Sequence, residues 1–501
     1  MKKIIINSIQ DINKTSKSDS IVIGLFEDKK NLFSSIDKDS YSILSEVNEA
    51  GDLSSKSGDI SVIYTPNRIF KKFKYSRIFV LGLGKIKFLD NNSVRSAAGN
   101  LSRRIQATNC NSVNFVLDSF ISEENNYFEL SQSFLEGFLL GSYSFNKYKS
   151  SISLDKEKNI TFDVTSSKKS SALDILINKA IINSEAEKKA RNLVNEPANI
   201  MSPSELSKFS LSLSNDKLSC KILNYDECKK LGMNAFLGVA QGSVEEPKLI
   251  HLSYKPNKDD NSATWYIGKA ITFDSGGLSL KPSGSMLSMK GDMGGSAAVI
   301  SAIEAISKLN IKTNIEVLCL ATENMPSGSA QRPSDVVQAM DGTYIEVENT
   351  DAEGRLTIAD AIAYARKFNP KAIIDVATLT GAAGIGLGKG NISAFSNNEK
   401  LMSSVKKAGI FTGDSVWELP LDSVSKKQNN SAIADIKNTG GRLAGSITAA
   451  HFINHFVKET PWVHLDIAAN MMSASAEGWY SKGATGIPTR LLIELAYTLE
   501  K

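Results

Sequence analysis

Residues 354–379, GRLTIADAIAYARKFNPKAIIDVATL, read as a helix over Gly354–Lys367 that runs into a strand over Ala372–Leu379. The same alternation extends in both directions. Strands are expected at Cys220–Asn224, Leu249–Tyr254, Thr264–Gly268, Asn314–Leu320 and Trp462–Ile467, and helices at Gly294–Lys308, Gly445–Val457 and Thr489–Leu499. Strands interleaved with helices of this length predict an α/β fold, with a mixed, mostly parallel sheet flanked by helices. Upstream, short β-like runs at Ile21–Phe26, Ser61–Tyr64, Arg77–Leu83 and Val113–Leu117 alternate with helical patterns at Ser93–Gln106 and Leu130–Tyr143. A long helical pattern at Ser170–Asn195 stops before Pro197. The expected organisation is a smaller N-terminal α/β domain over 1–170, a linker helix over 171–195 and a larger C-terminal domain over 196–501.

Composition narrows the class. A chain of 501 residues, 42% hydrophobic and 22% charged, has ordinary globular usage, which argues against whole-chain disorder and fibrous repeats. A net charge of +4 is too small to make nucleic acid or an anionic membrane the main partner. The four cysteines (Cys110, Cys220, Cys228, Cys319) have no CxxC spacing, which fits a reducing compartment. The opening MKKIIINSIQDINK turns polar at Asn7 and reads as a first strand, not a secretory leader. No run approaches the roughly 18 apolar residues of a membrane span. A soluble, cytoplasmic protein is expected.

Several familiar chemistries fail on the residues. His451 and His455 stand four apart on a helix, but the residues between them are Phe-Ile-Asn, without the glutamate of a zinc-peptidase motif. The nearest nucleophile elbow, residues 294–298, lacks its closing glycine. The glycine run 381–390 misses the Walker pattern, with Ala383 and Gly390 where glycine and a hydroxyl residue are needed. Acids tell more. Asp274, Asp292, Asp351 and Glu353 lie in three glycine-bounded segments together with Lys269, Lys281 and Arg355. Asp351 and Glu353, two apart, put both carboxylates on one side of an extended backbone. Carboxylates on loops after strands suit divalent cations, and several together can hold a pair about 3.5–4 Å apart.

These segments resemble the leucyl (cytosol) aminopeptidases, a family of two-metal exopeptidases. The octapeptide NTDAEGRL stands intact at Asn349–Leu356. Supporting matches are VNEPAN (Val194–Asn199), FDSGGLSLKP (Phe273–Pro282), MKGDMGG (Met289–Gly295), ATLTGA (Ala377–Ala382), GSITAA (Gly445–Ala450) and HLDIA (His464–Ala468). The likeness runs from about Arg191 to the C-terminus, whereas the first 170 residues match only in length and α/β character. It implies five metal ligands, Lys269, Asp274, Asp292, Asp351 and Glu353, holding two divalent ions (Mn²⁺ or Zn²⁺) around a bridging water. Lys269 would be a neutral amine, its pKa depressed by the two dications.

The same resemblance implies that Lys281 stays protonated and stabilises the tetrahedral oxyanion. Arg355 would hold a bicarbonate acting as general base. Met289, Asn349, Thr378 and Gly381 correspond to pocket positions, and the Leu379 backbone to the substrate-aligning one. A methionine-lined pocket favours leucine and other apolar side chains. Substrates would be peptides with a free N-terminus, in intracellular turnover, and the assembly a homohexamer. The family's glycine after the ligand lysine is Ala270 here, which would strain the backbone by about 1 kcal/mol or more if that position needed positive φ. A second role as a DNA-binding regulatory factor is the alternative, with Lys71, Lys72 and Lys74 as its basic residues.

Overall fold

The computed structural model describes residues 4–9, 18–28, 36, 38–65, 75–120, 127–150, 160–166, 170–257, 260 and 262–500. Lys71, Lys72 and Lys74 lie outside them. The chain divides into one unit of Met1–Glu185 with Ala474–Lys482, and another of Ala186–Ser473 with Gly483–Lys501. The helix Ser170–Asn195 contains the first division.

The first unit is built on strands β1 (Ile4–Ile9), β2 (Ser20–Phe26), β3 (Ile60–Tyr64), β4 (Arg77–Gly84), β5 (Ser112–Val116) and β6 (Ile160–Thr165), in the order β1-β6-β5-β2-β4-β3. Only β3 runs antiparallel to its neighbour. Phe115, Phe134, Phe138 and Phe162 meet edge-to-face or stacked in its core. The helices Asn91–Gln106 and Tyr127–Gly141 touch where a side chain on Gly137 would fall 2.1 Å from the Arg95 carbonyl.

The second unit carries β7 (Leu218–Leu223), β8 (Lys248–Tyr254), β9 (Thr264–Asp274), β10 (Ile315–Asn324), β13 (Ala372–Ala377), β14 (Ile392–Ser396), β15 (Val416–Glu418) and β17 (Trp462–Asp466). Their order is β15-β14-β17-β13-β9-β10-β8-β7. The four central strands β17, β13, β9 and β10 are parallel, and the antiparallel pairings lie toward the edges. A small separate sheet joins β11 (Asp335–Gln338), β12 (Tyr344–Val347) and β16 (Ile436–Lys437).

Strand alternation explains the two helical layers. Trp265, Ile267 and Ile271 of β9 pack with Leu356, Ala359 and Ile362 of the helix Gly354–Arg366. Tyr266 and Gly268 face the other way. A side chain on Gly268 would meet Ser296 Cα at 2.6 Å, so that helix Gly294–Lys308 sits close against the sheet. β9 and β10 run further than expected, to Asp274 and Asn324 in place of Gly268 and Leu320. Their last turns of sequence carry Lys269, Thr272, Asp274, Thr322 and Asn324, polar residues that read as loop yet are buried. Among the described residues, no helix is long and apolar enough to cross a membrane.

Candidate metal centre

The carboxyl ends of the parallel strands converge on one place, where open α/β sheets put their sites. Asp274 ends β9, Asn324 ends β10, Thr378 follows β13 and Asp466 ends β17. Lys269 reaches the same place from within β9. Its Nζ lies 2.8 Å from Asp292 Oδ2, 2.8 Å from Glu353 Oε1 and 3.0 Å from the Thr378 carbonyl, to which it donates. The room for its stem comes from Gly354, where a Cβ would sit 2.5 Å from Lys269 Cε.

A second lysine bridges the remaining acids. Lys281 Nζ is 2.8 Å from Asp274 Oδ2 and 2.5 Å from Asp351 Oδ1. Asp274 Oδ1 accepts from the Gly276 N–H and the Asn324 side-chain amide, each at 2.8 Å, so its orientation is fixed. Asp292 Oδ1 accepts from the Thr378 hydroxyl at 2.7 Å. Asp274, Asp351 and Glu353 each offer an oxygen within 4.8 Å of the others. Asp292 Oδ2, Asp351 Oδ1 and both oxygens of Glu353 are buried and accept no aligned hydrogen bond. Three of them have a lysine ammonium at ion-pair distance, but Glu353 Oε2 has not even that.

Electrostatics describes an under-neutralised cluster. Four carboxylates face two ammonium groups, leaving a formal charge of −2. Burial raises the pKa of Asp292, and Glu353 and Asp274 add to it against the opposing pull of Lys269. Burial and Asp274 likewise raise Glu353. Burial also raises Asp351, with Lys281 opposing. For Lys269, burial favours the neutral amine, yet Asp292, Glu353 and Asp274 outweigh it and hold the ammonium charged. Lys281 behaves in the same way, with Asp274 as its main partner. Buried orphan oxygens and surplus negative charge are what a set of hard-cation ligands looks like without its cation, so the residues fit divalent metal.

The other expected positions surround this cluster. Arg355 is buried, which pulls its pKa down to about 10; Nη1 donates to the Asn438 carbonyl at 2.6 Å, and Nε has no hydrogen-bond acceptor. Asn349 Oδ1 accepts from the Asp351 N–H at 2.8 Å, which tightens the turn carrying that acid. The Leu379 N–H donates to Asp466 Oδ1 at 3.1 Å. Met289 is half-buried in the 3₁₀ turn Met289–Gly291, and Gly381 opens the helix Gly381–Leu387, where a side chain would meet open space. The Met289 carbonyl accepts from the Asp292 N–H at 3.3 Å. His451 and His455 lie on the helix Gly445–Val457, apart from the acidic group.

The condition for strain at position 270 is not met. Ala270 lies buried inside β9 with φ outside the left-handed region, so the position puts no strain on alanine. Sequence reasoning also missed the residues that orient the candidate ligands. Asn324, Thr350 and Asn438 bond to the segments that carry the candidate ligands, and Asp466 holds the Leu379–Thr380 backbone. Asp466 was legible only as part of HLDIA, and Asn438, a lone amide after a two-residue strand, gave no signal.

The chain is similar to known proteins along nearly its whole length. The catalytic-domain model of the cytosol aminopeptidase family matches residues 188–493, and the N-terminal-domain model of that family matches residues 22–151. A probable cytosol aminopeptidase of Alkaliphilus oremlandii is 38% identical over 516 residues, covering 99% of this chain and 100% of its own. Its counterpart in Alkaliphilus metalliredigens is 36% identical over 494 residues, covering 96% and 97%. Among solved structures, a tomato leucine aminopeptidase mutant superposes with a TM-score of 0.88 at 30% identity, covering 99% of this chain and 97% of that one. The bottromycin maturation enzyme BotP, solved in complex with Mn, superposes at 0.85 with 29% identity, covering 97% and 100%. Nothing in these likenesses supports a DNA-binding role.

Proposed function

Since this chain belongs to the cytosol aminopeptidase family and is thus a metal-dependent hydrolase acting at peptide N-termini, we propose that it is a leucyl aminopeptidase working on two divalent ions. Lys269, Asp274, Asp292, Asp351 and Glu353 would hold the pair. The observation that carries this reading is the convergence of five candidate ligands into one buried cluster with a surplus of negative charge and an orphaned Glu353 oxygen. Bound there, the ions would supply Lewis acidity toward the scissile carbonyl and would lower the pKa of a water enough to make hydroxide available near neutral pH.

The chain's own groups then have separate tasks. Lys281 keeps its proton and offers it as a fixed positive charge to the oxygen that becomes negative in the transition state. Lys269 is the group whose state must change, because a lysine donates a lone pair only as the neutral amine, and dications in place of bare carboxylates would favour that form. Arg355, with a free Nε donor, is suited to a planar anion such as bicarbonate. The Leu379 backbone, fixed through Asp466, aligns the peptide, while Met289, Asn349, Thr378 and Gly381 shape the side-chain pocket for leucine and similar residues. The ions are Mn²⁺ or Zn²⁺, the assembly a homohexamer and the setting cytoplasmic. The Mn-bound relative and the "cytosol" in the relatives' names support the metal and the setting.

Hydrolysis of a leucyl anilide with and without Mn²⁺, for wild type and Asp351→Asn, tests this. Metal-dependent release should fall by orders of magnitude in the variant, because losing one carboxylate from a shared cluster weakens a site. Equal rates for the two proteins would refute the assignment.

A further inference from the structure

The turn that carries Asp351 has almost no regular structure of its own. Residues 348–353 lie between β12 and the helix Gly354–Arg366, and an Asn349–Ala352 backbone contact of 3.2 Å is one of few internal ties. Thr350 in the middle of the turn is held from other segments by Ser279, Gly276 and Asn324, and one further side chain holds the residues on either side of it. Asn438 follows β16, which pairs in parallel with β12, and its own N–H donates to the Glu346 carbonyl at 2.9 Å. That pairing delivers a fully buried amide beneath the turn.

Every polar atom of Asn438 is used there. Oδ1 accepts from the N–H groups of Glu348 at 2.9 Å and Asn349 at 3.3 Å. Nδ2 donates to the carbonyls of Asn349 at 2.7 Å and Ala352 at 3.3 Å. The backbone carbonyl of Asn438 accepts from Arg355 Nη1 at 2.6 Å. A primary amide offers an acceptor and two donors, so one side chain can hold two N–H and two C=O groups of the same turn, whereas a carboxylate has no donor and a hydroxyl only one.

We propose that Asn438 is a positioning residue for both halves of the site: its amide holds the two ends of the Glu348–Ala352 turn, and through it Asp351 and Glu353, while its carbonyl aims the Arg355 guanidinium. This rests on the two-cation reading above. Asn438 touches no ligand oxygen; it acts by removing the turn's freedom, so that the acids need not be ordered when the cation arrives.

The test uses the full chain with Mn²⁺ as probe, and Asn438→Asp and Asn438→Ala as variants. Asn438→Asp is nearly isosteric but sets an oxygen against the Asn349 and Ala352 carbonyls. Measured quantities are the Mn²⁺ dissociation constant by calorimetry, kcat and KM on a leucyl anilide at saturating Mn²⁺, and the melting temperature of the metal-free protein. The expected result is Mn²⁺ binding weaker by about 10–100-fold. kcat should fall by a comparable factor with KM within about threefold, while the metal-free protein still folds and melts in one transition, lowered by roughly a few degrees. Wild-type Mn²⁺ affinity and kcat in the variants, with only the melt lowered, would overturn the inference, as would failure of both variants to fold. Wild-type protein that itself binds no Mn²⁺ would instead refute the two-cation reading on which it stands.

Discussion

Lys269 and Lys281 are the same residue type within one cluster, but their surroundings differ. Lys281 bridges Asp274 and Asp351 from the rim, whereas Lys269 is enclosed between Asp292, Glu353 and the Thr378 carbonyl. Replacing Lys281 with alanine should therefore lower kcat by about 100-fold or more, in the range of a lost oxyanion donor, while metal content measured by atomic absorption holds. Lost metal would make Lys281 a ligand. Gly354→Ala probes Lys269 without touching a charge. The added methyl would fall 2.5–2.8 Å from Cε, Cδ and Nζ, and the flexible side chain must move aside. Activity should drop at least about tenfold with stability changed by no more than the 1–3 kcal/mol of an overpacked site; unchanged kcat would mean that the position of Lys269 does not matter.

At the scale of elements, the pairing of β13 with β17 contains a buried polar unit that the mechanism does not use. Asp375 and His464 are register partners, both fully buried. Asp375 Oδ1 lies 2.6 Å from His464 Nδ1, and Oδ2 accepts from the Trp462 indole at 2.6 Å. Burial alone would lower the His464 pKa, but Asp375 outweighs it and the pKa is raised. The folded state thus binds this proton more tightly than the unfolded chain does. Its stabilisation is full below the unfolded histidine value near 6.5 and is lost as pH rises through the folded value. Asp375→Asn should cost about 3–5 kcal/mol at pH 6, with the gap to wild type narrowing in thermal melts toward pH 9. A gap that widens with pH would contradict the ion pair.

The elements also show what the sequence made legible. The helices at 294–308, 445–457 and 489–499 and the cores of the central strands carry strong apolar patterns and were readable as such. The ends of β9 and β10 were not, because Lys269, Asp274 and Asn324 are buried to serve a site, and function overrides the hydrophobic signal there. Short edge strands such as β15 have only three residues, too few for a period to register. The acids were legible through their glycine-bounded segments and the intact octapeptide. Their supports were not: Asn438 reaches the turn across 86–90 residues of chain, a contact that only the folded pairing of β12 and β16 creates.

For the molecule as a whole, the fold brings four carboxylates and two lysines from separate segments to the carboxyl edge of one parallel sheet and leaves their charge unbalanced. The sheet makes this arrangement rigid, so on the proposed reading a pair of dications would bind without much reordering. A crystal grown with Mn²⁺ and measured at the manganese absorption edge tests that most directly. The account predicts two anomalous peaks, both among Lys269, Asp274, Asp292, Asp351 and Glu353. Anomalous density elsewhere, or none, with the lysines still paired to these acids, would contradict it.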